Sequence, residues 1–287
     1  MAANFTRKKI ENYSYGLSEG IGKGYSSQVF KGRHDESGDP VAIKVIDLRL
    51  LKNDINKILL DSEIQILKEL RGLPHILSLH EVFTTKNNTY IVTELCQGDL
   101  AARLKGGLPP AKALAFMQQI LTGYLGFARR QIIHRDLKPA NVLIAEGDEL
   151  KVADFGFAIK VSDAHKYSKY NVGSPLYMAP ESLQRNEYSL KTDVWALGVI
   201  LHELLTGQTP WKAKNEKELI KKIESERSED IIGRLTVPPQ AREFLLRTLR
   251  VDKSSRMDME EVASFDLTAI SLPRAVLAEK TVNLGRI

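Results

Sequence analysis

His134-Arg135-Asp136-Leu137-Lys138-Pro139-Ala140-Asn141 is the stretch on which the reading of this chain turns, and Asp154-Phe155-Gly156 follows it after a short apolar run. The first segment puts a carboxylate, an ammonium and an amide on one short loop. The second adds another carboxylate. Lone Asp and Asn residues are mostly turn formers. At this spacing, Asp136, Lys138, Asn141 and Asp154 form a set that can hold a hydroxyl nucleophile, a triphosphate and its magnesium ions in a line, because hard oxygen donors suit Mg2+.

Upstream lies a segment suited to phosphate. Gly22-Lys23-Gly24-Tyr25-Ser26-Ser27 sits between two strand-like runs, Tyr15 to Phe30 in all. Glycines let backbone amides approach phosphate oxygens with no Cβ in the way, although the same pattern also makes a plain hairpin turn. Val41-Ala42-Ile43-Lys44 then ends an apolar run, Pro40 to Val45, in an ammonium. From Lys52 to Leu70 the period changes: Ile55, Leu59, Ile66, Leu67 and Leu70 fall on helical spacing. Two further strands are expected at Leu79 to Thr84 and Thr89 to Glu94, joined by a turn at Lys86-Asn87-Asn88. From Gly98 on, the chain reads as mainly helical: Pro109 to Arg129, a strongly apolar Leu190 to Leu205 stopped by Gly207 and Pro210, Glu216 to Glu224, and Pro239 to Leu249. The order is strands, one helix, strands, then helices.

Composition narrows the function classes. The net charge of +5 is mild, fitting an anionic nucleotide and too small to argue for nucleic acid. The single cysteine, Cys96, allows no internal disulfide and fits a reducing compartment, so a cytoplasmic or nuclear protein is the default. No signal-peptide pattern opens the sequence, and no apolar run approaches the roughly 20 residues a membrane span needs.

On these motifs the chain resembles the catalytic domain of eukaryotic serine/threonine protein kinases, from about Tyr15 to Val262. The resemblance implies an α+β bilobal protein-kinase-like fold. Residues 1–95 would form a small antiparallel sheet lobe with one main helix, and residues 96–264 a larger helical lobe. Residues 265–287 are left as a tail without a motif, docked or marking the end of an excised domain. It implies ATP and Mg2+, with protein hydroxyls as acceptors. Asp136 would orient the hydroxyl and accept its proton, and Lys138 would neutralise the transferring phosphoryl. Asn141 and Asp154 would hold the metal. Lys44 would meet the α and β phosphates, oriented by Glu63 in preference to Asp61 or Glu69. Ile21, Gly22 and Gly24 belong to the glycine-rich loop, whose third glycine is Ser27 here. Val29 and Ala42 would roof the adenine and Leu143 floor it. Thr93 falls at the gatekeeper position, with Glu94, Leu95 and Cys96 as a connecting strand whose Glu94 and Cys96 backbone bonds the purine.

The same resemblance makes His134 and Phe155, with Leu67 and Leu79, a column joining the lobes. Asp193 would anchor the catalytic loop, and Glu181 would pair with Arg256. Ser174 would contact both Asp136 and Lys138. Lys138 marks the serine/threonine branch. Phe157 goes with serine over threonine, and Ala140 with no strong arginine requirement upstream of the acceptor. The activation segment, Asp154 to Glu181, has Ser162, Tyr167, Ser168, Tyr170 and Ser174 as hydroxyls, with Lys166 and Lys169 as bases. Arg135 could receive a phosphate on Ser168, an expectation that mass spectrometry of active protein reads directly. Gly98-Asp99-Leu100-Ala101, Phe157-Ala158 after the Asp-Phe-Gly triplet, and the run Gly173 to Glu181 resemble the Unc-51-like, autophagy-initiating kinases. Calcium-regulated and Aurora-like kinases share parts of these strings, and a non-catalytic nucleotide-binding scaffold is the alternative from another class. The sequence names no regulatory partner.

Overall fold

The computed structural model describes residues 7–24, 26–104, 106–166 and 172–267. Strands β1 (Arg7–Ile10), β2 (Tyr13–Lys23), β3 (Ser27–His34), β4 (Pro40–Asp47), β5 (Leu79–Thr84) and β6 (Asn88–Glu94) form one antiparallel six-stranded sheet in the order β1-β2-β3-β4-β6-β5. Strand alternation sorts its faces. Val41 and Ile43 of β4 join Tyr13, Tyr15, Phe30 and Val92 in one apolar cluster, which leaves Ala42 and Lys44 for the other face. Helix α1 (Asp54–Glu69) buries Leu60, Ile64, Ile66 and Leu67 in the main core; Ile66, Leu67 and the following Leu70 were on the expected stripe, whereas Ile55 and Leu59 are only half-buried and Leu60 and Ile64 take the inner face.

After Glu94 the strand stops, so Leu95 and Cys96 are irregular and not the connecting strand expected. The larger lobe begins with β7 (Gly98–Asp99) and α2 (Leu100–Arg103), whose first turn is capped by Asp99 Oδ1 accepting from Ala102 N at 2.9 Å. It continues through α3 (Pro110–Ala128), β8 (Ile132–Ile133), β9 (Val142–Ile144), β10 (Leu150–Val152) and β11 (Ile159–Lys160). These strands pair as β10-β9-β7 and β11-β8. Each holds two or three residues, too few for a period to show in sequence. The rest is helical: α4 (Pro180–Arg185), α5 (Leu190–Thr206), α6 (Glu216–Ser225), α7 (Ser228–Gly233), α8 (Pro239–Thr248) and α9 (Met259–Ser264). The short α4, α7 and α9 were also not foreseen. Among the described residues no helix is long and apolar enough to cross a membrane.

Helix α5 is the axis of this lobe. A capping box between Ser189 and Thr192 starts it, and Gly207, at φ 74°, ends it. Val194, Trp195, Leu197, Val199, Ile200, Leu201 and Leu204 are all buried, so the helix is apolar on nearly every side. Gly198 lets α8 approach: a Cβ there would run into Thr248 Oγ1 and meet Leu249 Cδ2 at 2.9 Å. Trp195 stacks on Trp211 with ring centroids 5.4 Å apart. The Arg256 guanidinium lies over the Trp195 ring, 5.1 Å from its centroid. Its guanidinium donates to Glu181 Oε1 at 2.7 Å and Oε2 at 3.0 Å, the pair expected from sequence, and to Lys191 O at 2.8 Å. Beyond residue 264, Phe265 packs on Phe244 at 5.3 Å and Leu267 is buried, so the packed lobe runs to Leu267. Residues 268–287 of the expected tail lie outside the described residues.

Removing one member of a buried, hydrogen-bonded ion pair leaves the other charged and unpaired. Arg256→Ala should cost about 3–5 kcal/mol in urea unfolding, and Gly198→Val about 1–3 kcal/mol through overpacking. An Arg256→Ala chain within 1 kcal/mol of the parent, on the order of an exposed pair, would contradict this account of the lobe.

Candidate active site

The catalytic-type loop hangs from α5. Asp193 Oδ2 accepts from His134 N at 2.7 Å and Oδ1 from Arg135 N at 3.0 Å. Burial pushes the Asp193 carboxyl up to about 7, against the pull of those two amides and of Arg135. The two bonds fix a backbone that is sterically costly, since Arg135 has φ 67°. His134 is fully buried; its Nε2–H donates to Ala153 O at 3.0 Å and its Nδ1 accepts from Asp136 N at 3.3 Å. Burial lowers its pKa, so the ring is neutral. Its centroid is 4.9 Å from that of Phe155, and Leu67 and Leu79 belong to the same core cluster as Phe155.

On that support the polar groups converge. Asp136 Oδ2 accepts from Lys138 Nζ at 2.7 Å and Asn141 Nδ2 at 2.9 Å. Asp136 Oδ1 is buried with no hydrogen-bond partner among the described residues. Lys138 Nζ also donates to Ser174 Oγ at 2.7 Å. Ser174 was expected to touch Asp136 as well; among the described residues its hydroxyl bonds Lys138 and makes no hydrogen bond to Asp136, so it reaches that carboxylate only through Lys138. Gly173 makes the approach possible: at φ 112°, a Cβ there would lie 2.6 Å from Arg135 O. The activation segment can close on the loop only where no side chain intervenes.

Asn141 Nδ2 also donates to Asp136 O at 2.8 Å, which leaves the Asn141 amide oxygen for a cation. Ala153 N donates to Asn141 O at 2.8 Å and ties the two loops together. Asp154 follows at φ 59°, exposed in the crevice. Among the described residues no three His, Cys, Asp or Glu side chains could together hold a metal. Magnesium bound with a nucleotide asks for less: one or two protein ligands, with phosphates and water completing the octahedron. Asn141 and Asp154 fit that demand.

Lys44 Nζ donates to Glu63 Oε1 at 2.6 Å. Of the rivals, Glu69 pairs with Lys160 and Asp61 is exposed. Burial alone would push the Lys44 ammonium down; Glu63 and then Asp154 more than offset it, and the net direction is up. In the sheet Lys44 stands opposite Val29, which in turn stands opposite Gly22, and Ala42 stands opposite the buried Thr93. Ile21 is 46% exposed at the mouth, and Leu143 on β9 is half-buried between Asp99 and Lys151. Glu94 N already donates to Ser78 O at 3.1 Å, and Glu94 O already accepts from Thr93 Oγ1 at 3.3 Å, so a base edge would use that carbonyl's second lone pair; the Cys96 amide makes no hydrogen bond among the described residues. Burial, then Glu94, pushes the Cys96 thiol up to about 12, in keeping with an inert packing role.

Two tyrosines make contacts that had no signal in the sequence. Tyr177 Oη donates to Glu203 Oε2 at 2.6 Å and ties the activation segment to α5. Tyr188 Oη accepts from Val172 N at 3.3 Å while its ring lies 5.1 Å from the Arg135 guanidinium. Arg135 also donates from Nε to Phe157 O at 2.6 Å. Tyr25, Tyr167, Ser168, Lys169 and Tyr170 lie outside the described residues.

With the Glu63 charge removed, desolvation should dominate at Lys44. In Glu63→Gln, labelling of Lys44 by an amine-directed acylating reagent should reach half-maximum at a lower pH than in the parent chain. An unmoved midpoint would mean that Glu63 does not hold Lys44 in solution.

The protein kinase domain family model matches residues 15–267. The serine/threonine-protein kinase atg1 of Dictyostelium discoideum is 35% identical over 88% of this chain and 39% of its own length. The serine/threonine protein kinase OSK3 of Oryza sativa subsp. indica is 36% identical over 92% of this chain and 52% of its own. The serine/threonine-protein kinase ULK3 of Xenopus laevis is 33% identical over 99% of this chain and 61% of its own. The chain therefore spans 39% to 61% of these relatives. The match runs from β2 to the last buried residue of the helical lobe, across every group that converges on the crevice, and the chain belongs to the protein kinase domain family.

Proposed function

We propose that this chain is an ATP-dependent serine/threonine protein kinase of the Atg1/ULK signalling type, transferring the γ-phosphoryl of Mg-ATP to protein hydroxyls. One observation carries the reading: Lys138 joins Asp136 Oδ2 to Ser174 Oγ, 2.7 Å from each, while Asp136 Oδ1 stays buried and unpartnered. An unpaired buried carboxylate oxygen is costly unless a donor arrives, and the acceptor hydroxyl is that donor. Asp136 Oδ1 accepts its hydrogen bond, aims its oxygen, and takes the proton late, since a loose transition state needs little base strength. Lys138 holds Asp136 in place and offsets charge growing on the transferred group. Bound magnesium would neutralise phosphate charge, and Asn141 and Asp154 would hold it. Lys44, kept charged by Glu63, fixes the α and β phosphates, while Gly22 and Gly24 offer backbone amides to phosphate oxygens. Val29, Ala42 and Leu143 enclose the adenine, with the Glu94 carbonyl and Cys96 amide for its edge.

The bulk of Phe157 supports serine over threonine as the acceptor, and Ala140 supports no strong arginine requirement upstream. The single thiol, Cys96, supports a cytoplasmic setting. With labelled ATP, Mg2+ and a positional peptide library, we expect faster transfer to serine than to threonine. Asp136→Ala should lower kcat about 10³-fold or more. Turnover untouched in Asp136→Ala would defeat the catalytic assignment; faster transfer to threonine would defeat only the serine preference.

A further inference from the structure

The outer face of the six-stranded sheet, opposite Lys44, carries a separate hollow of about 310 Å³. The alternation that turns Lys44 into the crevice turns Val45 outward. Val45 lines this hollow with Tyr15, Phe30 and Tyr90, continuing the apolar cluster of Tyr13, Val41, Ile43 and Val92. At its open end the cluster is not covered. Leu17 is 50% exposed and Leu50 39%, and both line the hollow. They are two of only six large apolar side chains exposed on the described surface. A single exposed leucine needs no explanation, whereas exposed apolar groups gathered at one concavity mark an interaction site.

The rim has a sign. Lys8 of β1 and Lys23 of β2 line it, and neither forms an ion pair among the described residues. The one carboxylate in the lining, Asp47, is already taken by Arg49, from Nε at 2.9 Å and Nη2 at 2.7 Å. The uncompensated charge is therefore positive, and a partner that fits brings carboxylates. The hollow also touches the back of the glycine-rich turn. Gly24, Ser26 and Ser27 line it, and Asp47 N donates to Ser26 O at 2.8 Å.

We propose that this hollow docks an acidic peptide segment, which inserts one large aromatic or aliphatic side chain between Leu17 and Leu50 and sets carboxylates against Lys8 and Lys23. The site is distinct from the crevice, and its occupation does not depend on the kinase reading. An occupant bears on Gly24 and Ser26 from the face opposite the nucleotide.

The test uses a fluorescein-labelled, end-capped peptide, Glu-Asp-Trp-Glu-Leu-Asp, titrated with the whole chain by fluorescence anisotropy. We expect saturable binding that weakens between about 50 mM and about 300 mM salt. Leu17→Asp should weaken it about tenfold or more, and so should the double variant Lys8→Glu/Lys23→Glu. That double variant should instead bind the peptide in which Lys replaces each acid. Leu17 lies outside the glycine-rich loop, so Leu17→Asp separates the hollow from the crevice, and both variants should melt like the parent chain. With peptide bound, amide hydrogen exchange at residues 22–27 should slow. Affinity indifferent to both variants, unchanged exchange at 22–27, or no binding to the parent chain up to about 1 mM would each overturn the proposal. Sedimentation showing a dimer that Leu17→Asp dissolves would overturn it too, by giving the face to a second copy of this chain.

Discussion

A buried carboxylate holds the site in place. Asp193 projects from the most deeply packed helix of the molecule and receives two consecutive amides of the catalytic-type loop. Desolvation works against a charged Asp193, and only those amides and the nearby Arg135 oppose it. The helix cannot shift without the loop, nor the loop without the helix. The positive φ at Arg135 shows that local preference alone would not hold this geometry. Asp136, Lys138 and Asn141 inherit their positions from it.

Around that anchor several polar groups take partners from distant parts of the chain. Lys44 meets Glu63 from the small lobe's helix. Arg256 meets Glu181 under the activation segment. Tyr177 meets Glu203. Lys138 meets Ser174 across the approach that Gly173 leaves open. Each contact joins two elements that sequence distance keeps apart, so one long-range arrangement satisfies several buried charges together. Asp136 Oδ1 is left without a partner among the described residues, and it is the group that the proposed phosphoryl transfer would use.

Much of this was legible beforehand, for identifiable reasons. Helices long enough to show a period, such as Asp54–Glu69 and Leu190–Thr206, were found close to their ends. Strands Leu79–Thr84 and Asn88–Glu94 were found because flanking turn residues bound them. Strands of two or three residues, from Gly98–Asp99 to Ile159–Lys160, carry no period and exist only because packing brings their partners alongside. The same holds for Pro180–Arg185 and Ser228–Gly233, each too short for a stripe. The hydroxyl of Tyr188 and the carboxylate of Glu203 are ordinary in sequence and acquire a role only through contact.

The amino-acid order by itself settled which chemical groups are present and how the near ones lie. Asp136, Lys138 and Asn141 fall within six residues of one loop, and backbone geometry over so short a span leaves few arrangements. Tertiary packing decided what depends on distant segments meeting. It chose Glu63 over Asp61 and Glu69 for Lys44, kept Ser174 one ammonium away from Asp136, and left Leu17 and Leu50 open beside lysines that form no ion pair among the described residues. Such pairings are set by burial and steric fit over the whole molecule, and no local spacing encodes them.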